Sequence, residues 1–82
     1  MGCLIVFRSV TYAQNAQHIL SKKHISAVLT RPPMGLAKGG CSYALRIREE
    51  EIRDALVCLA GSPVHYTGAY CSKGTGWQEV TA

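Results

Sequence analysis

Hydrophobic positions along the chain follow two different periods, and the switches between them mark the elements. "CLIVFR" (3–8) is a continuous apolar run of strand length, the pattern of a central strand covered on one face or on both. In "TYAQNAQHILSKK" (11–23) Tyr12, Ala13, Ala16, Ile19 and Leu20 form a helical stripe. Thr11 with Gln14 three residues on predicts a capping-box start, and Lys22 and Lys23 suit the negative C-terminal end of the helix. "ISAVLT" (25–30) reads as a second short strand. A loop rich in Pro and Gly then runs into "CSYALRI" (41–47), which alternates: Cys41, Tyr43, Leu45 and Ile47 share one face, and Ser42, Ala44 and Arg46 the other. "EEEIRDALVCLAG" (49–61) predicts a second helix, with glutamates in its first turn, an apolar face at Ile52, Ala55, Leu56 and Leu59, and Gly61 as C-cap before Pro63. "VHYTGAY" (64–70) is the fourth predicted strand, and residues 72–82 read as a flexible tail.

The order βαββαβ predicts an α+β fold, the ferredoxin-like sandwich, with two helices on one face of a four-stranded antiparallel sheet in a single domain over 1–71. In that topology the end of the first strand, the start of the first helix, the loop between strands two and three and the start of the fourth strand meet at one end of the sheet. Cys41, directly after Gly39 and Gly40, is expected there, and its parity with Tyr43 and Leu45 turns it toward the helices. Two readings stand. Cys41 is either a small apolar filler opening a strand, or a thiol meant to be reached, with its pKa lowered by the backbone N–H groups around Val10 to Tyr12 and by Arg8, Arg31 and Lys38.

Length limits both readings, because 82 residues make one modest core and leave no room for a second lobe. A chain 48% hydrophobic and 17% charged is expected to fold rather than remain disordered. No apolar run approaches the roughly 18 residues that span a bilayer. "MGCLIVFRSV" lacks the features of a signal peptide, and Val6 breaks the myristoylation pattern, so the expectation is a cytoplasmic protein without a membrane partner. The net charge of +4 allows an acidic partner, but the basic residues are scattered and form no block. Open faces matter too: residues 4 and 6 of the first strand are apolar along with 3, 5 and 7, so one apolar face looks away from the helices. Self-association of copies, or another cover, would hide it.

Cysteines at 3, 41, 58 and 71 lack the paired spacing of a metal site, and cytosolic thiols are normally kept reduced, so four free thiols and no metal are expected. Cys58 falls near the apolar face of the second helix. Cys3 and Cys71 become neighbours at the end opposite Cys41 if their strands pair, and a redox pair or metal site there is the minor alternative to two free thiols. His18 and His24 are expected on the surface, and His65 opens the fourth strand at the Cys41 end; without an Asp or Asn as third member, a cysteine hydrolase is a weak reading.

The "LIVF" strand, the amphipathic helix, the loop with "RPP", Cys41 followed by "YALRI" and the acid-initiated helix together resemble the selenium/sulfur carrier-like family of small bacterial domains, found alone or fused to TusA-like sulfur-carrier domains. The family's cysteine after a small-residue loop maps onto Cys41; this sequence departs from the family's pattern in having Lys38, Gly39 and Gly40 before the cysteine and Ser42 after it, where the family commonly has Gly. The resemblance implies a carrier rather than an enzyme with turnover of its own: Cys41 takes up and passes on a persulfide or perselenide and needs no cofactor. Its donors and acceptors would be cysteine desulfurase-like, TusA-like or selenophosphate synthetase-like proteins. Gly35, Gly39 and Gly40 supply a slim backbone for entering a partner's active site.

Two rival classes use the same residues differently. A small-anion-binding or regulatory module would employ the Gly/Lys loop and the first helix's N-terminus without the sulfur. RNA-recognition domains share the architecture but need stacking aromatics on the open sheet face. Here the third strand offers only Tyr43, on the core side, and the "RGFGFVxF" type of signature is absent, which speaks against nucleic acid.

Overall fold

The computed structural model describes residues 2–33 and 42–80. Seven elements follow in order: β1 (Gly2–Phe7), α1 (Val10–Lys22), β2 (Val28–Thr30), β3 (Tyr43–Arg48), α2 (Ile52–Ala60), β4 (Gly68–Lys73) and β5 (Gly76–Glu79). The strands form one antiparallel sheet in the order β2-β3-β1-β4-β5. The α+β class with two helices stands, but the sheet has five strands, not the four of the expected ferredoxin-like sandwich. The fifth comes from the segment read as tail. Lys73 pairs with Gly76 across a two-residue loop, Gly74-Thr75, where Gly74 has φ of 61°, a left-handed conformation that glycine adopts without steric cost.

Alternation along β1 organises the layers. Cys3, Ile5 and Phe7 are fully buried among Ala13, Ala16 and Leu20 of α1, Leu45 and Ile47 of β3, and Ile52, Ala55, Leu56 and Leu59 of α2. Removing a side chain the size of Ile5 or Phe7 from water contributes about 1.5–3 kcal/mol. The predicted faces of α2 and of β3 at Tyr43, Leu45 and Ile47 are the observed ones, and so is that of α1 except for Tyr12, which is 45% exposed. Starts and ends moved. α1 is capped by Ser9, whose Oγ accepts from the Tyr12 backbone N–H at 3.3 Å, and not by Thr11. A 3-10 turn at Glu49–Glu51 leads into α2. β2 begins at Val28, because Ile25 is a core residue and Ala27 already gives its carbonyl to the Gln17 side chain at 2.8 Å. β4 begins at Gly68: Val64 is buried ahead of it, and the Thr67 N–H meets the Val6 carbonyl at 2.8 Å.

The opposite face of the sheet is covered within the chain. Leu4, Val6 and Ala44 are buried there with Tyr70 packed against them, so hiding the second apolar face of β1 does not require association of copies. Tyr70 reaches this position by lying over Gly68, two residues back on the same face. A Cβ at Gly68 would stand 2.6 Å from the Tyr70 Oη, so only glycine leaves the ring its place.

Gly68→Ala is expected to lower the unfolding free energy by about 1–3 kcal/mol through displacement of Tyr70. Gly76→Ala, where an added Cβ meets nothing within 4 Å, should change it by less than about 0.5 kcal/mol. Urea denaturation of the two variants side by side measures the difference; equal losses would mean that the Tyr70 ring is not what constrains position 68.

Candidate functional site

Pairing registers fix which residues can act together. Phe7 stands opposite Tyr43, and Thr30 opposite Ala44. Arg8, following Phe7, and Ser42, preceding Tyr43, therefore share one end of the sheet with Ser9 and the first turn of α1. Both flanks of the β2–β3 connection arrive at this end. Arg31 is exposed, and its guanidinium carbon lies 5.1 Å from the centroid of the Tyr43 ring, a cation–π contact that holds a positive charge beside the connection. Ser42 is only 8% exposed, whereas Arg8 is exposed. Of the helix's leading N–H groups, that of Tyr12 is already taken by Ser9. Lys38, Gly39, Gly40 and Cys41 lie outside the described residues, as does Gly35. His65, expected to open a strand, precedes β4 and is exposed at the same sheet end.

The opposite end of the sheet carries a covalent bond. Cys3 faces Cys71 directly in the β1–β4 register, and the two are joined as a disulfide with their Cα atoms 4.0 Å apart. This corrects the expectation of four free thiols. The sequence had placed these cysteines as neighbours but assigned their state from the reducing power of a compartment. Cross-strand position decides otherwise: directly opposed residues in an antiparallel pair hold their Cβ atoms about 4.5–5.5 Å apart, so little chain entropy remains to be lost when the sulfurs join. Cys58 is free, half-buried and packed against the core, as its place on α2 predicted.

A third feature had no counterpart in the sequence reading. A cavity of about 340 Å³ opens on the sheet face away from the helices, lined by residues that include Arg31, Arg46 and Trp77. Trp77 was out of view because it lies on β5, where every residue is exposed and no hydrophobic alternation announces a strand. The available signal was the two-residue Gly74-Thr75 loop between "YCSK" and "GWQE". Among the described residues, no group of His, Cys, Asp and Glu is arranged to hold a metal ion, and no helix is long and apolar enough to cross a membrane.

A two-helix α+β domain with a basic sheet end flanking a cysteine-bearing connection is the class that fold and geometry define. The chain belongs to the family described as "Putative Se/S carrier protein-like", whose model matches residues 2–71. No curated protein and no solved structure matches it.

Alkylation of the unfolded, unreduced protein is expected to modify Cys58 and leave Cys3 and Cys71 intact, all becoming reactive after reduction. Replacing Cys3 and Cys71 together by Ala should lower stability by about 2–5 kcal/mol, the range for losing a disulfide in a small domain. Peptide mapping checks the first and thermal unfolding the second; quantitative labelling of Cys3 without reductant would rule out the cross-link.

Proposed function

We propose that the protein is a carrier of sulfane sulfur or of selenium and that Cys41 is the carrying atom's anchor. The observation that carries this reading is the family match, which spans residues 2–71 and so includes Cys41 within a selenium/sulfur carrier-like domain. Local chemistry supports it. Ser42, one peptide bond from Cys41, begins the approach to β3 at the sheet end that also holds Arg8, the start of α1 and the guanidinium of Arg31. Positive charge and a helix N-terminus favour a thiolate over a thiol, with Lys38 as a further cation of the same segment.

Transfer then runs without an added oxidant. The Cys41 thiolate attacks the terminal sulfur of a donor persulfide, R–S–SH. The donor's S–S bond breaks as the new one forms, leaving R–S⁻ and Cys41–S–SH; the donor is reduced by the same two electrons that Cys41 loses. Delivery repeats the exchange on an acceptor thiolate, and a perselenide follows the same balance. Gly39 and Gly40 leave the segment slim enough to enter a partner's site, and Ser42 adds a hydroxyl beside the thiol. Donors and acceptors of this chemistry are cysteine desulfurase-like, TusA-like and selenophosphate synthetase-like proteins. The reaction suits the cytoplasm, where thiols are kept reduced. Cys3 is fully buried there, which shields one sulfur of the cross-link from thiol exchange.

Alkylation at pH 6.5 is expected to label Cys41 well ahead of Cys58, and a cysteine desulfurase with cysteine should add one sulfur to the wild-type chain but none to Cys41→Ala. Mass spectrometry reads both, with circular dichroism confirming an unchanged fold. A Cys41 thiol that titrates at or above the ordinary value of about 8.5, and that the desulfurase leaves unloaded, would end the carrier reading.

A further inference from the structure

The sheet face away from the helices carries a second set of polar side chains, one of which, Arg31, also flanks the β2–β3 connection. Its cavity draws on every strand: Thr30 and the adjoining Arg31 at the β2 edge, Arg46 on β3, Gly2 on β1, Ser72 on β4 and Trp77 on β5. Leu4 adds an apolar wall. The depression therefore crosses the strands instead of following one of them. A second depression, lined by Arg46 and Arg48 with Val28 and Gly2, adjoins it, and Arg46 and Gly2 belong to both. Glycine at position 2 matters here, since a Cβ there would sit 3.5 Å from the Arg46 Cγ: the arginine stem runs over the bare backbone, and Arg46 lines both depressions.

Charge and shape select the occupant. Arg31, Arg46 and Arg48 are among the residues lining the two depressions, the Arg31 guanidinium itself lying over the Tyr43 ring, and among the described residues neither depression is lined by a carboxylate. Arginine remains charged at any physiological pH and binds phosphate through a planar fork of donors. Trp77, 41% exposed at the far edge, offers an indole face on which a planar base stacks. Several cations spaced across a groove match a ligand with repeated phosphates better than one with a single anionic group, and hydroxyls of Thr30 and Ser72 can donate to or accept from a ribose 2′-OH.

We infer that the open sheet face binds single-stranded RNA across the strands, with the Trp77 indole stacking a base and Arg46 and its neighbouring arginines holding phosphates. The sequence argued against nucleic acid because the third strand offers only Tyr43, on the core side, and the RNA-recognition signature is absent; β5 supplies an exposed aromatic at the sheet edge. The inference does not rest on the Cys41 reading, and Cys41→Ala is expected to bind RNA as the wild type does.

Fluorescence anisotropy with a labelled uridine octamer tests it. Binding should weaken with salt, and Arg46→Gln should reduce the slope of log K against log salt by about 0.7 for each phosphate contact removed. Trp77→Ala should weaken binding roughly 5- to 150-fold, as expected for loss of one stacked base. Both positions are exposed, so neither change removes core packing. Lys22→Gln, which removes one positive charge from the exposed end of α1, should leave affinity within about twofold at moderate salt, where distant charges are screened. Equal effects of Lys22→Gln and Arg46→Gln would reduce the finding to non-specific charge attraction and overturn the site. So would wild-type affinity in Trp77→Ala. Displacement of the octamer by uridine monophosphate at equal nucleotide concentration would overturn the strand reading, and equal binding of the deoxyuridine octamer would overturn the assignment to RNA.

Discussion

Everything in this fold hangs on β1 being apolar on both sides of a sheet that has helices on only one. Cys3, Ile5 and Phe7 are covered by α1 and α2, which is the ordinary solution for a half-buried sheet. Leu4 and Val6 are left on the other side and still end up buried. Among the described residues no second helical layer covers them. The chain meets this need with a side chain of a neighbouring strand: Tyr70 folds back over Gly68 and packs against them. A face that would otherwise be an apolar patch open to association is thereby converted into one with a buried floor and a charged rim.

The same strand sets what lies at each end of the sheet. Its register with β3 brings Arg8 and Ser42 together, and its register with β4 brings Cys3 onto Cys71. One end is closed by a covalent bond between residues 68 apart in sequence, a constraint worth about 4 kcal/mol in the chain-entropy account. For a domain this small that is a large fraction of the 5–15 kcal/mol a native protein has in total. The other end holds the β2–β3 connection with its flanking cations.

What the sequence revealed follows from where burial leaves a period. The alternation of Tyr43, Leu45 and Ile47 and the stripes of α1 and α2 were legible because one side of each is buried. The start of α1 was misread since Ser9 and Thr11 both have capping side chains, and only the geometry of the β1–α1 turn chooses between them. Val64 made β4 look as though it began early: a buried residue in a loop gives the same signal as one in a strand. β5 was illegible by hydrophobicity because none of its residues is buried, leaving only its turn to identify it. The disulfide was half legible. Position followed from topology, while oxidation state does not follow from cysteine spacing.

Trp77 shows why the illegible part of a chain is where an unexpected surface can arise. Core residues are constrained by packing on all sides, so their pattern is repetitive and readable. An exposed edge strand is held by backbone hydrogen bonds to one neighbour, here β4, and its side chains are nearly unconstrained by stability. Tryptophan at such a position gains little from folding while 41% exposed, and places a large apolar ring in water on an edge that proteins usually protect with charge or proline. The ring lies beside a groove lined by arginines and hydroxyls and built by strand order: β2 and β5, the two edges of the sheet, each contribute to a cavity whose middle is β1. The fifth strand thus does more than extend the sheet: through Trp77 it lines the far side of that cavity.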